Sequence, residues 1–255
     1  MGKAVEICNA CKSFGSLKAN EDVCFDLNYG EVHALIGENG AGKTTLMRLL
    51  YGMYAPDNGI ILVDGKPCVT SVKSSIRAGV GMVHQNFMQI THMSIVENII
   101  LGNVPRSRLG CVDYAKASED IRTLATKLRM KVRPSQLLKD LSMGERQKIE
   151  IVKALYQGAK IFIFDEPTAV LTPRESRELF EIIQTLKDDG KAIIYISHKL
   201  NEVIAVADRT TVMRRGLVVG KWDSMQGVTR EKLAAAMIGK AGFEMIESRH
   251  HTVGE

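Results

Sequence analysis

Gly37-Glu38-Asn39-Gly40-Ala41-Gly42-Lys43-Thr44-Thr45 follows an apolar run, His33-Ala34-Leu35-Ile36, and leads into a helical pattern ending Leu46-Met47-Arg48-Leu49-Leu50. Strand, glycine-rich loop and helix in that order make a phosphate cradle. Gly37, Gly40 and Gly42 allow a tight turn whose backbone N–H groups converge on phosphate oxygens. The helix behind contributes the positive end of its dipole. Lys43 supplies a cation for β- and γ-phosphates, and the Thr44 hydroxyl a ligand for Mg²⁺. The alternative, an ordinary glycine turn with an accidental lysine, needs the whole pattern and both flanking elements to agree by chance.

A second constellation completes such a site. Ile161-Phe162-Ile163-Phe164 reads as a buried strand, and Asp165-Glu166 emerge at its carboxyl end. Open α/β sheets bind ligands at that end of their strands. There Asp165 is expected to hold Mg²⁺ and Glu166 to polarise a water for attack on a γ-phosphate. Taken alone, the segment is also a strand meeting a capped turn; beside the glycine-rich loop it becomes specific.

The rest of the 255 residues fits an α/β protein. Apolar residues make up 45% and charged residues 25%, which excludes disordered and low-complexity classes. The longest unbroken apolar run is Leu233–Ile238, far short of the ~20 residues of a spanning helix, and the N-terminus lacks a signal-like apolar stretch. The net charge of +5 is mild and spread out, so a small polyanion suits it better than nucleic acid. Five cysteines, an odd number, point to free thiols in a reducing compartment. Cys8 and Cys11 form a CxxC without a second pair, on a strand where positions three apart face opposite ways, so no metal is expected there.

Short strands are expected at 5–8, 23–27, 32–36, 60–63, 81–84, 161–164, 192–196, 210–213 and 218–220. Helices are expected after Lys43 and over 74–78, 173–187 and 200–205. In the longest, Leu179, Ile182, Ile183 and Leu186 form one buried stripe, and Thr172, Pro173 and Glu175 mark its start. Strands alternating with helices imply a largely parallel sheet. The middle of the chain is helical in pattern, with Ile121, Leu124, Ala125 and Leu128 on one face. The expected organisation is a core of 1–86 and 159–240, an inserted helical subdomain at 87–158, and a polar tail or linker at 241–255.

With these motifs in place, the sequence over 1–240 resembles the ATP-binding subunits of ABC transporters. Leu141-Ser142-Met143-Gly144-Glu145-Arg146-Gln147 is similar to their LSGGQ signature and stands upstream of the Ile161–Phe164 strand, as in that family. The resemblance implies a P-loop NTPase fold: a RecA-like core with an antiparallel β subdomain, plus an inserted α-helical subdomain. It implies that Ser142, Gly144 and Glu145 bind the ATP held by a second ATPase domain in a head-to-tail pair; Ser142 and Glu145 also read as a helix capping box. Three further positions match. Gln85 fits the glutamine that contacts Mg²⁺ and senses the membrane subunit, His198 the histidine that contacts the γ-phosphate, and Phe14 the aromatic that stacks on adenine. The catalytic set is thus Glu166, His198, Gln85 and Lys43, with Thr44, Gln85 and Asp165 for Mg²⁺.

Met143 and Glu145 depart from the signature, and Ala169-Val170-Leu171-Thr172 departs from the usual SALD. These changes bear on how tightly two domains clasp. The stretches around 81–90, 154–175 and 195–203 resemble the sugar and nucleoside importers, whose ATPases typically carry two such domains in one chain. One set of motifs here corresponds to one half: a single-domain protein, a truncated gene or a fragment. The implied function is ATP hydrolysis that powers import, peripheral on the cytoplasmic face, with permease subunits and, indirectly, a solute-binding protein as partners and no nucleic acid. Two other readings are an ABC ATPase acting in DNA repair or on the ribosome, and a module that clasps ATP without turnover. Long heptads, Cys clusters and basic arms, which would support the first, are not present in the sequence, and the intact Glu166 opposes the second.

Overall fold

The computed structural model describes residues 2–68, 71–83, 89–107 and 110–239. Two sheets share one core. The first is antiparallel, formed by β1 (Lys3–Phe14), β2 (Leu17–Asn28), β4 (Asn58–Val63) and β5 (Lys66–Pro67) in the order β2-β1-β4-β5. The second has six strands in the order β10-β9-β3-β8-β7-β6, comprising β3 (Val32–Ile36), β6 (Val80–Val83), β7 (Ile161–Asp165), β8 (Ala192–Ile196), β9 (Arg209–Arg214) and β10 (Leu217–Trp222). All its pairs are parallel except the β9–β10 hairpin. The largely parallel sheet expected from the alternating pattern is therefore found.

The central strands are buried on both faces, which is why they read as continuous apolar runs. In β7, Ile161 and Ile163 pack toward α1 (Lys43–Leu50) and the antiparallel sheet, while Phe162 and Phe164 face the opposite layer. That opposite layer holds α3 (Ile95–Ile100), α4 (Tyr114–Lys127), α5 (Met143–Tyr156) and α6 (Pro173–Asp188); α2 (Val72–Arg77) precedes β6. In α4 the buried residues are Ala117, Ile121 and Ala125, one stripe at helical spacing. In α6 they are Leu179, Ile182, Ile183 and Leu186, and the helix opens with the expected Thr172–Glu175 capping box. A third cluster joins β3 and β9 to α7 (Leu200–Val206) and α8 (Arg230–Ile238) through Ile36, Val203, Val212 and Leu233.

Two features go beyond the sequence expectations. β1 and β2 run for 12 residues each, through polar stretches that alternation alone does not mark as strand. The apolar run Leu233–Ile238 is a helix whose Leu233 and Met237 pack with Ile36 of β3 and Val212 of β9. The Cys8–Cys11 segment contains a register shift, and all five cysteines are free thiols. Among the described residues no helix is long and apolar enough to cross a membrane.

Candidate nucleotide site

β3 delivers the chain into the glycine-rich loop at the carboxyl end of the parallel sheet. Gly37 and Gly42 are obligatory for steric reasons. A Cβ at Gly37 would lie 2.2 Å from the Met213 carbonyl oxygen, and one at Gly42 2.2 Å from that of Ala19. Gly42 also caps α1 with φ of 99°, a left-handed conformation that side chains resist. The loop wraps back on Lys43, whose ammonium donates to the carbonyls of Gly37 at 2.7 Å and Glu38 at 3.0 Å. Burial pulls the Lys43 pKa down, against the charges of Glu166 and Asp165, which pull it up. Ala41 ties the loop to the β9–β10 turn by accepting from Gly216 N–H at 3.1 Å.

The loop faces a cleft of about 600 Å³. Asn39, Gly40, Thr44 and Thr45 line one side of it, and Asp165, Glu166 and His198 the other. Phe14 lies at its margin, half exposed, with the Tyr54 ring edge-on at 5.3 Å. Asp165 ends β7, and its carboxyl is shifted up, first by burial and then by the charge of Glu166. Lys43, Arg48 and a hydrogen bond from the Thr44 hydroxyl pull the other way. Glu166 has a left-handed backbone, φ 49°, rare for a residue with a side chain and typical of functional turns. Its Oε1 is 2.9 Å from Nδ1 of His198, which follows β8.

Thus Lys43, Thr44, Asp165, Glu166 and His198, drawn from three separate stretches of sequence, meet in one cleft. The adjacent carboxylates and the hydroxyl are hard oxygen donors, and Asp165 is buried within hydrogen-bond reach of the Thr44 hydroxyl. This donor set fits Mg²⁺. Gln85 lies outside the described residues.

Ser142, Gly144 and Glu145 do not line this cleft. They begin α5, where Ser142 accepts from Glu145 N–H and the Glu145 carboxylate accepts from Ser142 N–H, so the capping box is present. Gly144 N–H bonds Glu175 of α6. A Cβ at Gly144 would meet the Glu175 carboxylate, so a larger residue there requires the Glu175 side chain to shift.

Sequence reading missed three contributors. Lys18 and Arg215 line the cleft as extra cations. Asn20, only 1% exposed, donates to the Gly42 carbonyl at 3.2 Å, and its side-chain oxygen has no partner among the described residues. No motif surrounds these residues; only the approach of β2 and the β9–β10 turn to the loop brings them in.

A doubly layered α/β core with a phosphate loop after β3 and an acidic pair after β7 defines a P-loop nucleotide-binding protein. The ABC transporter family pattern matches residues 20–169, more than half of the chain, and the protein belongs to that family. Among its relatives is the nucleoside import ATP-binding protein NupA of Lactococcus lactis, 44% identical over 93% of this chain and 47% of its own length. The galactose/methyl galactoside import ATP-binding protein MglA of Clostridium tetani is 40% identical over 98% and 50%. The arabinose import ATP-binding protein AraG of Vibrio parahaemolyticus is 38% identical over 98% and 50%. The chain thus spans about half the length of these relatives. A crystal structure of a nucleotide-free ATP-binding cassette from an ABC transporter superposes with a TM-score of 0.81, covering 96% of this chain and 99% of that one at 23% identity, which shows the same fold.

Proposed function

We propose that this chain binds and hydrolyses ATP and powers import of a nucleoside or simple sugar, as a peripheral component on the cytoplasmic face of a membrane. The observation that carries the reading is the meeting of Lys43, Asp165, Glu166 and His198 in one cleft. The import functions in the names of its relatives support the solute class.

In this reading the loop N–H groups, the N-terminus of α1 and Lys43 hold the triphosphate. Thr44 and Asp165 hold Mg²⁺, with Gln85 as a further expected ligand. Bound Mg²⁺ neutralises charge on the phosphate oxygens. Glu166 orients and polarises the attacking water, and His198, hydrogen-bonded to it, reaches toward the γ-phosphate. Phe14 presents its exposed ring to the base. Ser142, Gly144 and Glu145 serve the nucleotide of a second ATPase domain, and 87–158 acts as the helical unit that carries them. Permease subunits and a solute-binding protein complete the machine.

Glu166→Gln keeps the shape and removes the base. MgATP binding is expected to persist while single-turnover hydrolysis falls about 10²–10⁴-fold. Lys43→Ala is expected to lose binding instead. Full hydrolysis by the Glu166→Gln variant removes Glu166 from catalysis, and unchanged affinity in the lysine variant counts against the phosphate cradle.

A further inference from the structure

Behind the cleft lies a second set of polar groups that the reaction as described does not use. Glu202, on α7, is largely buried, its side chain 14% exposed. Its carboxylate receives the Thr168 hydroxyl at 2.7 Å, the Tyr195 hydroxyl at 2.7 Å and the Ser197 hydroxyl at 3.3 Å. The Lys199 ammonium lies 3.2 Å from the same carboxylate and donates to the Thr168 carbonyl at 3.0 Å. Thr168, Tyr195 and Ser197 are each at most 1% exposed, so their hydroxyls have no water to replace this acceptor.

The connectivity is specific. Thr168 is two residues beyond Glu166, in the turn closed by Ala169 N–H to the Glu166 carbonyl at 3.2 Å. Ser197 and Lys199 flank His198 on either side, and Lys199 N–H also bonds the Ser197 hydroxyl at 3.0 Å. One carboxylate therefore anchors both the turn that carries Glu166 and the turn that carries His198. A second tie runs between the same turns, from Glu166 N–H to the Ile196 carbonyl at 3.0 Å. The left-handed backbone of Glu166 persists only where its surroundings over-determine it, and these bonds are those surroundings. A carboxylate offers about four acceptor sites, which three hydroxyls and an ammonium fill.

We propose that Glu202 is a positioning residue: through Thr168 on one side and Ser197 and Lys199 on the other, it holds Glu166 and His198 in register as one unit. Glu202 is not among the residues that line the cleft. The proposal rests on the hydrolytic reading above, which assigns Glu166 and His198 their roles. It separates placement of the attacking water from nucleotide binding, because among the described residues the hydrogen bonds of Glu202 and its partners do not extend to the loop of Gly37–Thr45.

The test is single-turnover hydrolysis by the full chain in excess over MgATP, with MgATP affinity and urea unfolding measured in parallel. Glu202→Ala is expected to leave affinity unchanged and lower the hydrolysis rate about 10–100-fold, the usual cost of losing a supporting shell. Glu202→Gln, which keeps one acceptor oxygen, should recover part of the rate. Thr168→Val cuts the link to the Glu166 turn and should lower the rate at unchanged affinity. Tyr195→Phe removes a hydroxyl that bonds Glu202 and Thr168 from β8, while Thr168 keeps its own bond to Glu202, and should cost stability with a smaller loss of rate. Should Glu202→Ala not fold, the Glu202→Gln and Thr168→Val variants carry the comparison. Wild-type hydrolysis in Glu202→Ala, or rates in Thr168→Val and Tyr195→Phe that fall together in step with stability, overturns the proposal while leaving the ATPase reading intact. A wild-type chain that binds MgATP and never hydrolyses it, even at concentrations where two copies pair, removes both.

Discussion

His33 illustrates how a residue to which no motif assigns a role takes its chemistry from its place in the fold. It sits in β3, 2% exposed, with Nδ1 2.7 Å from the Asp26 carbonyl and Nε2 2.8 Å from the Thr211 hydroxyl. Burial, aided by the Arg209 charge, lowers its pKa from 6.5 to about 4. The unfolded chain then binds a proton below pH 6.5 that the folded chain refuses until about pH 4. Stability due to this group is therefore complete above pH 6.5 and is lost as pH falls through that window. The full difference is about 3 kcal/mol. Urea unfolding at about pH 7 and about pH 5, on either side of the unfolded-state pKa, should show a larger acid loss in the wild type than in His33→Gln, which cannot titrate. Equal losses would show that His33 already accepts a proton in the folded state. Phe14 and Glu166 contrast with His33, since position in the sequence marks both and both line the cleft.

At the scale of elements, helix starts are the most legible features. Thr172-Pro173-x-Glu175 and Ser142-x-x-Glu145 spell capping boxes, and both form. Thr172→Ala removes the hydroxyl that accepts from Glu175 N–H and should cost about 1 kcal/mol, read as a lower urea midpoint at unchanged slope. The Glu175 carboxylate also meets Gly144 at the start of α5, so the starts of two helices share one side chain. That link is invisible in sequence, because α5 and α6 are joined only through the β7 strand and its following loop. β1 and β2 are poorly legible for a related reason. Their outer halves carry Lys12, Ser13, Lys18 and Asn20, and pair across a hairpin whose register includes irregularities. A strand held by main-chain pairing needs no apolar alternation.

At the scale of the molecule, the cleft and the start of α5 are separate surfaces: the cleft lining contains none of Ser142, Gly144 and Glu145. If those residues serve a nucleotide, it is one held elsewhere, so two ATPase domains are needed for a complete site. We expect the chain to be a monomer without nucleotide. In the Glu166→Gln form with MgATP, pairing should emerge at high concentration, weakened by Met143 and the Ala169–Thr172 departures. Light scattering with and without MgATP measures this directly. A tight dimer without nucleotide, or specific activity independent of concentration in a monomer, would contradict an ATP-bridged pair.

The sequence by itself determined the glycine-rich loop, the acidic pair, the buried central strands and the stripe and cap of α6. Each is a local property, set by backbone torsions, side-chain size or periodicity within about a dozen residues. Only the tertiary structure decided what those pieces touch. It brought Asn20 under Gly42, placed Lys18 and Arg215 at the cleft, set Glu175 against Gly144, and ran Thr168, Tyr195 and Ser197 onto Glu202. The physical reason is that a hydrogen bond or a steric limit between distant segments depends on strand order and sheet packing. Composition and spacing along the chain carry no direct record of either.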